Sequence, residues 1–272
     1  MNIIFRADDF GICKGVNYGI AETINEGVVK NVGLMVNMDS AKHALQLAEV
    51  KDLCIGLHVN ISLGKPVLSP DKVPSLVDSA GNFYLKGKNF ENYVERVNFD
   101  EMRNEIVAQI DNFQKLVGRQ PDYIDGHAIF CSDFISTIKQ VSFEKDLYFL
   151  DPMNEQWKVK NKIAMLPFIS LNQEGLYNPR DIFTSLKVED SLENYLGVFH
   201  PGFLDNFILE NSSYTRIRPM ECEFLTSPWL KSWLTEHNVS SVSIRELKQM
   251  IMDSYLLVRI AVHLLFIYPI RF

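Results

Sequence analysis

Four short apolar runs in this sequence each end in an acidic residue or a histidine. The runs are IIFRADD, CIGLH, DYIDGH and LGVFH, and the residues that end them are Asp8 with Asp9, His58, His127 and His200. Each run has the length of a buried β-strand. Because the carboxyl ends of parallel strands meet at one edge of a sheet or barrel, we expect these side chains to form a common active site.

Segments with strand and helix patterns alternate along the chain. Strands are predicted at 2–7, 32–38, 53–60, 123–125, 147–150, 163–168, 195–199 and 239–242. Helices are predicted at 17–26, 41–50 and 99–117, and weaker helical patterns cover 133–144, 181–190 and 221–236. Such alternation is typical of a parallel sheet whose two faces are both covered.

The predicted fold class is therefore α/β, in the form of a TIM-like (β/α) barrel, either complete or incomplete and distorted. The metal site is expected at the C-terminal ends of its strands. Residues 1–252 are predicted to form a single domain, since α/β barrels use about 250 residues in one unit. The alternative is an open doubly wound sheet, although no GxGxxG motif follows a predicted strand.

The charge and cysteine content exclude several classes of protein. A net charge of −7, with no run of lysines or arginines, argues against a nucleic-acid partner. The four cysteines form no CxxC pair, so neither a zinc knuckle nor a redox motif is predicted.

The N-terminus lacks the basic start and apolar core of a secretory signal, because acidic residues arrive at position 8. The predicted location is the cytoplasm.

The segment 253–272 is a nearly continuous apolar tail. Its apolar run is interrupted by Arg259, His263 and Pro269 and is shorter than the roughly 18 apolar residues needed to span a bilayer. We expect no membrane span here. A helix that packs on the core or on a partner chain and a tail that lies at a membrane surface both remain open.

Asp8 and Asp9 are adjacent acids at the end of the first predicted strand, where Gly11 permits a tight turn. Neighbouring side chains on an extended backbone point apart, so we expect different roles for the two carboxylates. One would hold a cation and the other would accept a proton. The alternative is that both cap the helix that follows.

The three histidines differ in how strongly their context indicates function. His58 and His127 lie in apolar surroundings, where a single histidine is often a buried, hydrogen-bonded core residue. Asp125, two residues before His127, could support the site. His200 is followed by Pro201 and a glycine, which fix the imidazole at a strand end, where it can exchange protons near neutral pH.

Taken in order, these motifs resemble a known family. The motifs are ADDFG with Asn17, GLHVNISLG, PDYIDGH, and HPGFLD followed by a Tyr-x-Arg-x-Arg-x-x-Glu stretch that begins at Tyr214. Over residues 1 to about 250, the sequence is similar to the YdjC-like carbohydrate deacetylases, which include chitooligosaccharide deacetylase. The resemblance implies a TIM-like barrel, a divalent metal, hydrolysis of N-acetyl groups on small sugars, and a homodimer.

The resemblance also implies a role for each motif residue. Asp9, His58 and His127 match the metal ligands, Asp8 the general base and His200 the general acid. Three further residues are expected to bind substrate or to support the ligands, namely Asp125, Arg216 and Arg218. The family's metal is Mg²⁺, whereas a ligand set of two histidines and one aspartate suits Zn²⁺ or another transition metal.

One departure from the family pattern concerns the substrate pocket. Family members often continue with further histidines after the position of His127, but this chain has Ala128, Ile129 and Phe130. We expect the metal site to be kept and the pocket to be less polar. Two alternatives remain. One is another metal-assisted hydrolase, acting on a phosphoester or a different amide, and the other is a non-catalytic sugar-binding relative.

Overall fold

The computed structural model describes residues 1–48, 52–84, 96–166, 177–186 and 194–249. The apolar tail at 253–272, and with it the predicted domain boundary at residue 252, lies outside the described residues and stays a prediction. Among the helices that are described, none combines the length and the apolar character needed to cross a membrane.

Parallel strands and helices alternate through most of the described chain. The strands are β1 (Asn2–Phe10), β2 (Asn31–Leu34), β3 (Cys54–Val59), β4 (Ile124–Gly126), β5 (Ile163–Met165), β6 (Asn194–Phe199) and β7 (Ser240–Ser241). The helices are α1 (Lys14–Asn25), α2 (Ala41–Leu47), α3 (Phe99–Val117), α4 (Ser132–Glu144), α5 (Glu155–Asn161), α6 (Pro179–Ser185), α7 (Asn206–Asn211), α8 (Ile217–Thr226) and α9 (Pro228–Glu236). A short 3-10 helix covers Pro70–Lys72.

The strands form one curled parallel sheet in the order β4-β3-β2-β1-β6-β5, with β7 paired to β1. The predicted α/β class and parallel sheet are confirmed. The sheet is a half-barrel, which is consistent with a (β/α) barrel that is incomplete. Phe149 extends the β4 edge by a single parallel bridge to Ile124. Within the described ranges, no pairing joins this edge to β5.

Alternate residues of β1 belong to two different apolar clusters, as expected for a strand with both faces buried. Ile3 and Phe5 pack in the larger cluster, which also contains Ile20 of α1 and Ile106 of α3. Ile4 belongs to a smaller cluster that also contains Cys54 of β3, Ile163 of β5 and Leu196 of β6. The inner face of β1 therefore runs from Ile4 towards polar residues at its C-terminal end.

Gly56 of β3 makes room for an aromatic ring inside the curled sheet. A Cβ atom at this position would lie 2.2 Å from the ring of Tyr123, which is fully buried. Such a contact is far below van der Waals distance, so Tyr123 could not keep its place beside any other residue type. The ring lies against the guanidinium of Arg6, whose Cζ is 5.7 Å from the ring centroid.

Several predicted boundaries differ from the structure for identifiable reasons. The helix predicted at 221–236 is two helices, α8 and α9, because Pro228 requires an extended conformation at Ser227, which has φ −65° and ψ 141°. The strand predicted at 147–150 is reduced to the bridge at Phe149. The prediction omitted α5 and α7, which have only seven and six residues and show no extended periodic pattern.

Candidate active site

The C-terminal ends of the strands bring the predicted polar residues together. Asp8 and Asp9 lie in the last part of β1, His58 is the fifth residue of β3, and His127 directly follows β4. His200 directly follows β6. Since β1, β3, β4 and β6 all run in the same direction in the sheet, these residues lie at one end of it.

Asp9 adopts a left-handed backbone conformation, with φ +70°. Successive side chains on a regular strand point to opposite faces. The positive φ interrupts this alternation, and both carboxylates approach His58 instead of pointing apart as we expected. The Nε2 atom of His58 lies 3.9 Å from Oδ2 of Asp8 and 3.8 Å from Oδ1 of Asp9. A left-handed aspartate is uncommon, and such residues occur often at functional sites.

Asp9, His58 and His127 form a compact set of metal-competent donors. One ligand atom from each lies within 4.8 Å of the others. The Nδ1 atom of His127 lies 3.0 Å from Oδ1 of Asp9 and 3.3 Å from Nε2 of His58. Oδ1 of Asp9 is buried and makes no hydrogen bond to the described residues. This buried oxygen lies close to nitrogen atoms of both imidazoles, so the donor set fits a divalent cation.

Each of the adjacent carboxylates is held through one oxygen by its own arginine. Arg218 contacts Oδ2 of Asp9 at 2.7 Å, and Arg6 contacts Oδ2 of Asp8 at 2.6 Å. The other oxygen of each carboxylate makes no hydrogen bond to the part of the chain that is described. Burial would raise the pKa of Asp9, but His127 and Arg218 hold that pKa well below its usual range. Asp9 is therefore an anion at neutral pH.

Asp125 connects Arg6 to His58. Its Oδ2 lies 2.6 Å from a guanidinium nitrogen of Arg6, and its Oδ1 lies 2.7 Å from Nδ1 of His58. Burial opposes the charged form of His58, yet the carboxylates of Asp125 and Asp8 raise its pKa to about 9. The contact at Nδ1 leaves Nε2 directed towards Asp9 and His127, which is the orientation a metal ligand needs.

His200 is fixed by contacts to its backbone. Its N–H donates to the carboxylate of Glu221, whose other oxygen accepts from the Tyr177 hydroxyl, and its carbonyl accepts from Arg218 at 3.4 Å. The imidazole packs edge-on against Tyr214, with 5.0 Å between ring centroids. Burial lowers the pKa of His200 to about 4 and raises that of Glu221 to about 7.

The remaining predicted residues divide into two groups. Asp125 and Arg218 contact the cluster directly, whereas Arg216 is exposed and its guanidinium makes no ion pair or hydrogen bond to other described residues. The alternative, in which Asp8 and Asp9 cap the following helix, is wrong, because Cys13 occupies the N-cap of α1. After His127, Ala128 has φ +54° and Phe130 is 75 % exposed, so an apolar ring lies on the surface beside the site.

Three residues that support the site were not among the predicted site residues: Arg6, which contacts Asp8, Glu221, which contacts His200, and Tyr177, which contacts Glu221. Arg6 had a visible signal, since it is a charged residue inside an apolar strand, two positions before Asp8 and therefore on the same face. Glu221 ended the Tyr-x-Arg-x-Arg-x-x-Glu stretch without an assigned role. Tyr177 gave no signal, because its partner lies 44 residues away in sequence.

Comparisons with known proteins show what the chain is similar to over most of its length. A carbohydrate deacetylase 2 from Listeria innocua serovar 6a is 31% identical over 260 residues, which cover 91% of this chain and 99% of that protein. A chitooligosaccharide deacetylase from Yersinia enterocolitica is 32% identical over 240 residues, which cover 84% of this chain and 92% of that one.

A solved structure and a family model extend the likeness to the fold. A crystal structure from Enterococcus faecalis V583, provisionally described as a cellobiose-phosphate cleavage protein, superposes with a TM-score of 0.74 at 26% identity. The match covers 90% of this chain and 98% of that one. The family model described as YdjC-like protein matches residues 2–236. The chain therefore belongs to the YdjC-like protein family.

Proposed function

We propose that this protein is a metal-dependent hydrolase that removes N-acetyl groups from small acetylated carbohydrates, such as oligosaccharides of N-acetylglucosamine. The relatives named as carbohydrate and chitooligosaccharide deacetylases support this class of reaction. The observation that carries the proposal is the set of Asp9, His58 and His127, whose donor atoms lie within 4.8 Å of one another beside a second carboxylate.

Asp9, His58 and His127 are the residues that would hold the cation. When bound, a divalent cation would supply a Lewis acid that polarises the acetyl carbonyl and lowers the pKa of water. Three protein donors suit this role because catalytic metal sites keep coordination positions open. Arg218 keeps Oδ2 of Asp9 occupied at 2.7 Å and so leaves Oδ1 for the cation.

Asp8 is proposed as the general base. Arg6 holds its Oδ2, and its buried Oδ1 has no hydrogen-bond donor among the described residues. A carboxylate with one fixed oxygen and one free oxygen can accept the proton of the attacking water in a defined direction. In the overall reaction, water adds to the acetyl carbon and the carbon–nitrogen bond breaks, which yields acetate and a free amine.

His200 is proposed to donate a proton to the departing nitrogen. An amine is a poor leaving group until it is protonated, so a nearby acid is required. Burial holds the pKa of His200 at about 4, which makes the imidazole neutral in the resting protein. Negative charge that develops on the acyl oxygen favours the imidazolium, so His200 would take up a proton from solvent as this charge develops and pass it to the departing nitrogen.

The test is a measurement of acetate release from N-acetylglucosamine, its dimer and trimer, and their phosphorylated forms. Each substrate is assayed with Mg²⁺, Mn²⁺, Co²⁺ or Zn²⁺ and with a chelator. We expect acetate and a new amine in equal amounts, and no product with the chelator. Release of phosphate without acetate would instead identify a phosphoesterase. Binding of an acetylated sugar with no product under any metal would identify a sugar-binding relative.

By family resemblance, the proposed physiological cation is Mg²⁺. Because imidazole donors suit Zn²⁺, activity with Zn²⁺ is compared with activity with Mg²⁺.

We also propose that the protein acts in the cytoplasm, which the absence of any disulfide among its four cysteines supports. A homodimer is proposed from the resemblance alone. Sedimentation equilibrium of the full chain tests the dimer, since a mass of 31.3 kDa would exclude it.

A further inference from the structure

A second group of metal-competent residues overlaps the first. Asp8, His58 and Asp125 also offer donor atoms within 4.8 Å of one another, and all three residues are buried. The two groups share His58 and use adjacent aspartates. Two-metal hydrolases hold their ions about 3.5–4 Å apart, often with shared ligands. Judged by its donor atoms alone, the site therefore has enough ligands to bind two ions.

The guanidinium of Arg6 contacts two of the three members of this second group. One nitrogen lies 2.6 Å from Oδ2 of Asp8, and another lies 2.6 Å from Oδ2 of Asp125. Arg6 is only 4 % exposed, although it carries a permanent charge. The contact to Asp8 is a hydrogen bond and the contact to Asp125 is an ion pair, and together they hold a rigid, planar cation between two carboxylates.

The first group has no such cation between its donors. Arg218 contacts Asp9 through Oδ2, while the Oδ1 atom of Asp9 lies near His127 and makes no hydrogen bond to the described residues. The two arginines thus differ in effect. Arg218 binds one oxygen of a single carboxylate, whereas Arg6 bridges two carboxylates that would otherwise face each other.

We propose that Arg6 restricts the centre to one divalent ion by occupying the second group of donors with a fixed positive charge. It thereby keeps Asp8 out of the coordination sphere and free to act as a base. A second ion would have to break both contacts of Arg6 or lie beside its charge. This inference rests on the proposed function, in which Asp9, His58 and His127 bind the first ion.

The test counts bound ions by equilibrium dialysis against Mn²⁺ followed by elemental analysis. We expect one ion per chain for the wild type and two for Arg6→Met, which removes the charge but keeps a long side chain. The double variant Arg6→Met with Asp125→Asn should return to one ion, because the second group then lacks a ligand. Arg6→Lys, which keeps a positive charge, should also bind one.

Arg245→Met is the matched control. Arg245 contacts Asp122 at 2.9 Å, so its replacement also removes a guanidinium from a carboxylate, but away from the cluster. It should bind one ion and keep the wild-type kcat. In Arg6→Met, by contrast, we expect kcat to fall about 100-fold while the number of bound ions rises, since Asp8 becomes a ligand.

Two ions bound to the wild type, or one ion bound to a folded Arg6→Met, would overturn the inference. No ion bound to the wild type would instead overturn the proposed metal-dependent function. If Arg6→Met does not fold, Arg6→Gln replaces it. The spectrum of Mn²⁺ in the wild type gives an independent answer by electron paramagnetic resonance. At saturation, a wild-type spectrum of isolated Mn²⁺ ions supports the exclusion of a second ion by Arg6, and a spectrum of a spin-coupled pair contradicts it.

Discussion

The Nδ1 atom of His58 lies 2.7 Å from Oδ1 of Asp125, its register partner on the neighbouring strand. Parallel pairing of β3 with β4 therefore places the imidazole and the carboxylate side by side before any metal binds. A carboxylate on the second nitrogen of a histidine fixes the orientation of the ring and increases its basicity as a ligand. In this way the register of the sheet determines which nitrogen of His58 faces Asp9.

Asp125→Asn is expected to weaken metal binding by about 10–100-fold, because the amide keeps the shape of the side chain but loses its charge. Competition with a chromophoric chelator measures the change in Kd. Asp122→Asn is the matched control, since Asp122 lies three residues earlier and is paired with Arg119 and Arg245. If Asp125→Asn and Asp122→Asn bind the metal with the same affinity, the carboxylate of Asp125 does not support His58 as a ligand.

Asp8→Asn is expected to lower kcat by about 10²–10⁴-fold, since an amide cannot accept the proton of water. Its metal affinity should stay close to that of the wild type. His58→Ala, in contrast, should lose the metal. Acetate release and metal content are measured on the same preparations. Equal loss of metal in both variants would reverse the roles proposed for Asp8 and Asp9.

Gly33→Ala is expected to lower kcat by about 10–100-fold through a small displacement of the site. The added Cβ would lie 3.0 Å from Oδ1 of Asp8 and 3.2 Å from Cβ of His58. Both the proposed base and a proposed ligand would have to move. Steady-state kinetics should show a fall in kcat larger than any rise in KM, with a folded protein by circular dichroism.

Gly118→Ala serves as the control for this substitution. Gly118 ends α3 with φ +80°, and among the described residues no atom outside its local backbone lies within 4 Å of the position of its absent Cβ. Strain at positive φ should cost about 1–2 kcal/mol of the free energy of unfolding and leave kcat unchanged. Equal kcat values for the two alanine variants would show that the space beside Asp8 is not needed for activity.

Glu221→Gln is expected to change how stability depends on pH. Burial raises the pKa of Glu221 from its ordinary 4.5 to about 7, so the folded state binds more protons than the unfolded state between these values. The free energy of unfolding should therefore fall as the pH rises from 4.5 to 7. At about 1.4 kcal/mol per pKa unit, the contribution is at most about 3.5 kcal/mol.

The variant should lack this decrease, because glutamine does not titrate. Urea unfolding at pH values below and above the window measures the difference between wild type and variant, in the presence of a chelator. Glu22→Gln, at an exposed position of α1, is the control and should follow the wild type. A constant difference between wild type and Glu221→Gln at every pH would contradict the raised pKa of Glu221.

The accuracy of the predicted elements depended on how local their signals are. The long amphipathic pattern of α3 was predicted over 99–117 and is observed at Phe99–Val117, where Asn98 caps the start and Gly118 ends the helix. Signals of that kind lie within a few residues of each other. The strand predicted at 147–150 is only a single bridge between Phe149 and Ile124 of β4. Because that pairing depends on the position of β4, no local signal could support it.

The sequence by itself determined the alternation of the longer strands and helices and the residue types that end the strands. The proposed chemistry of the site follows from those residue types. Only the tertiary structure decided that Arg6 lies between Asp8 and Asp125, that Glu221 holds the backbone of His200, and that Arg216 stays outside. Apolar periodicity is read along the chain, whereas ion pairs form between residues that strand pairing brings together across it.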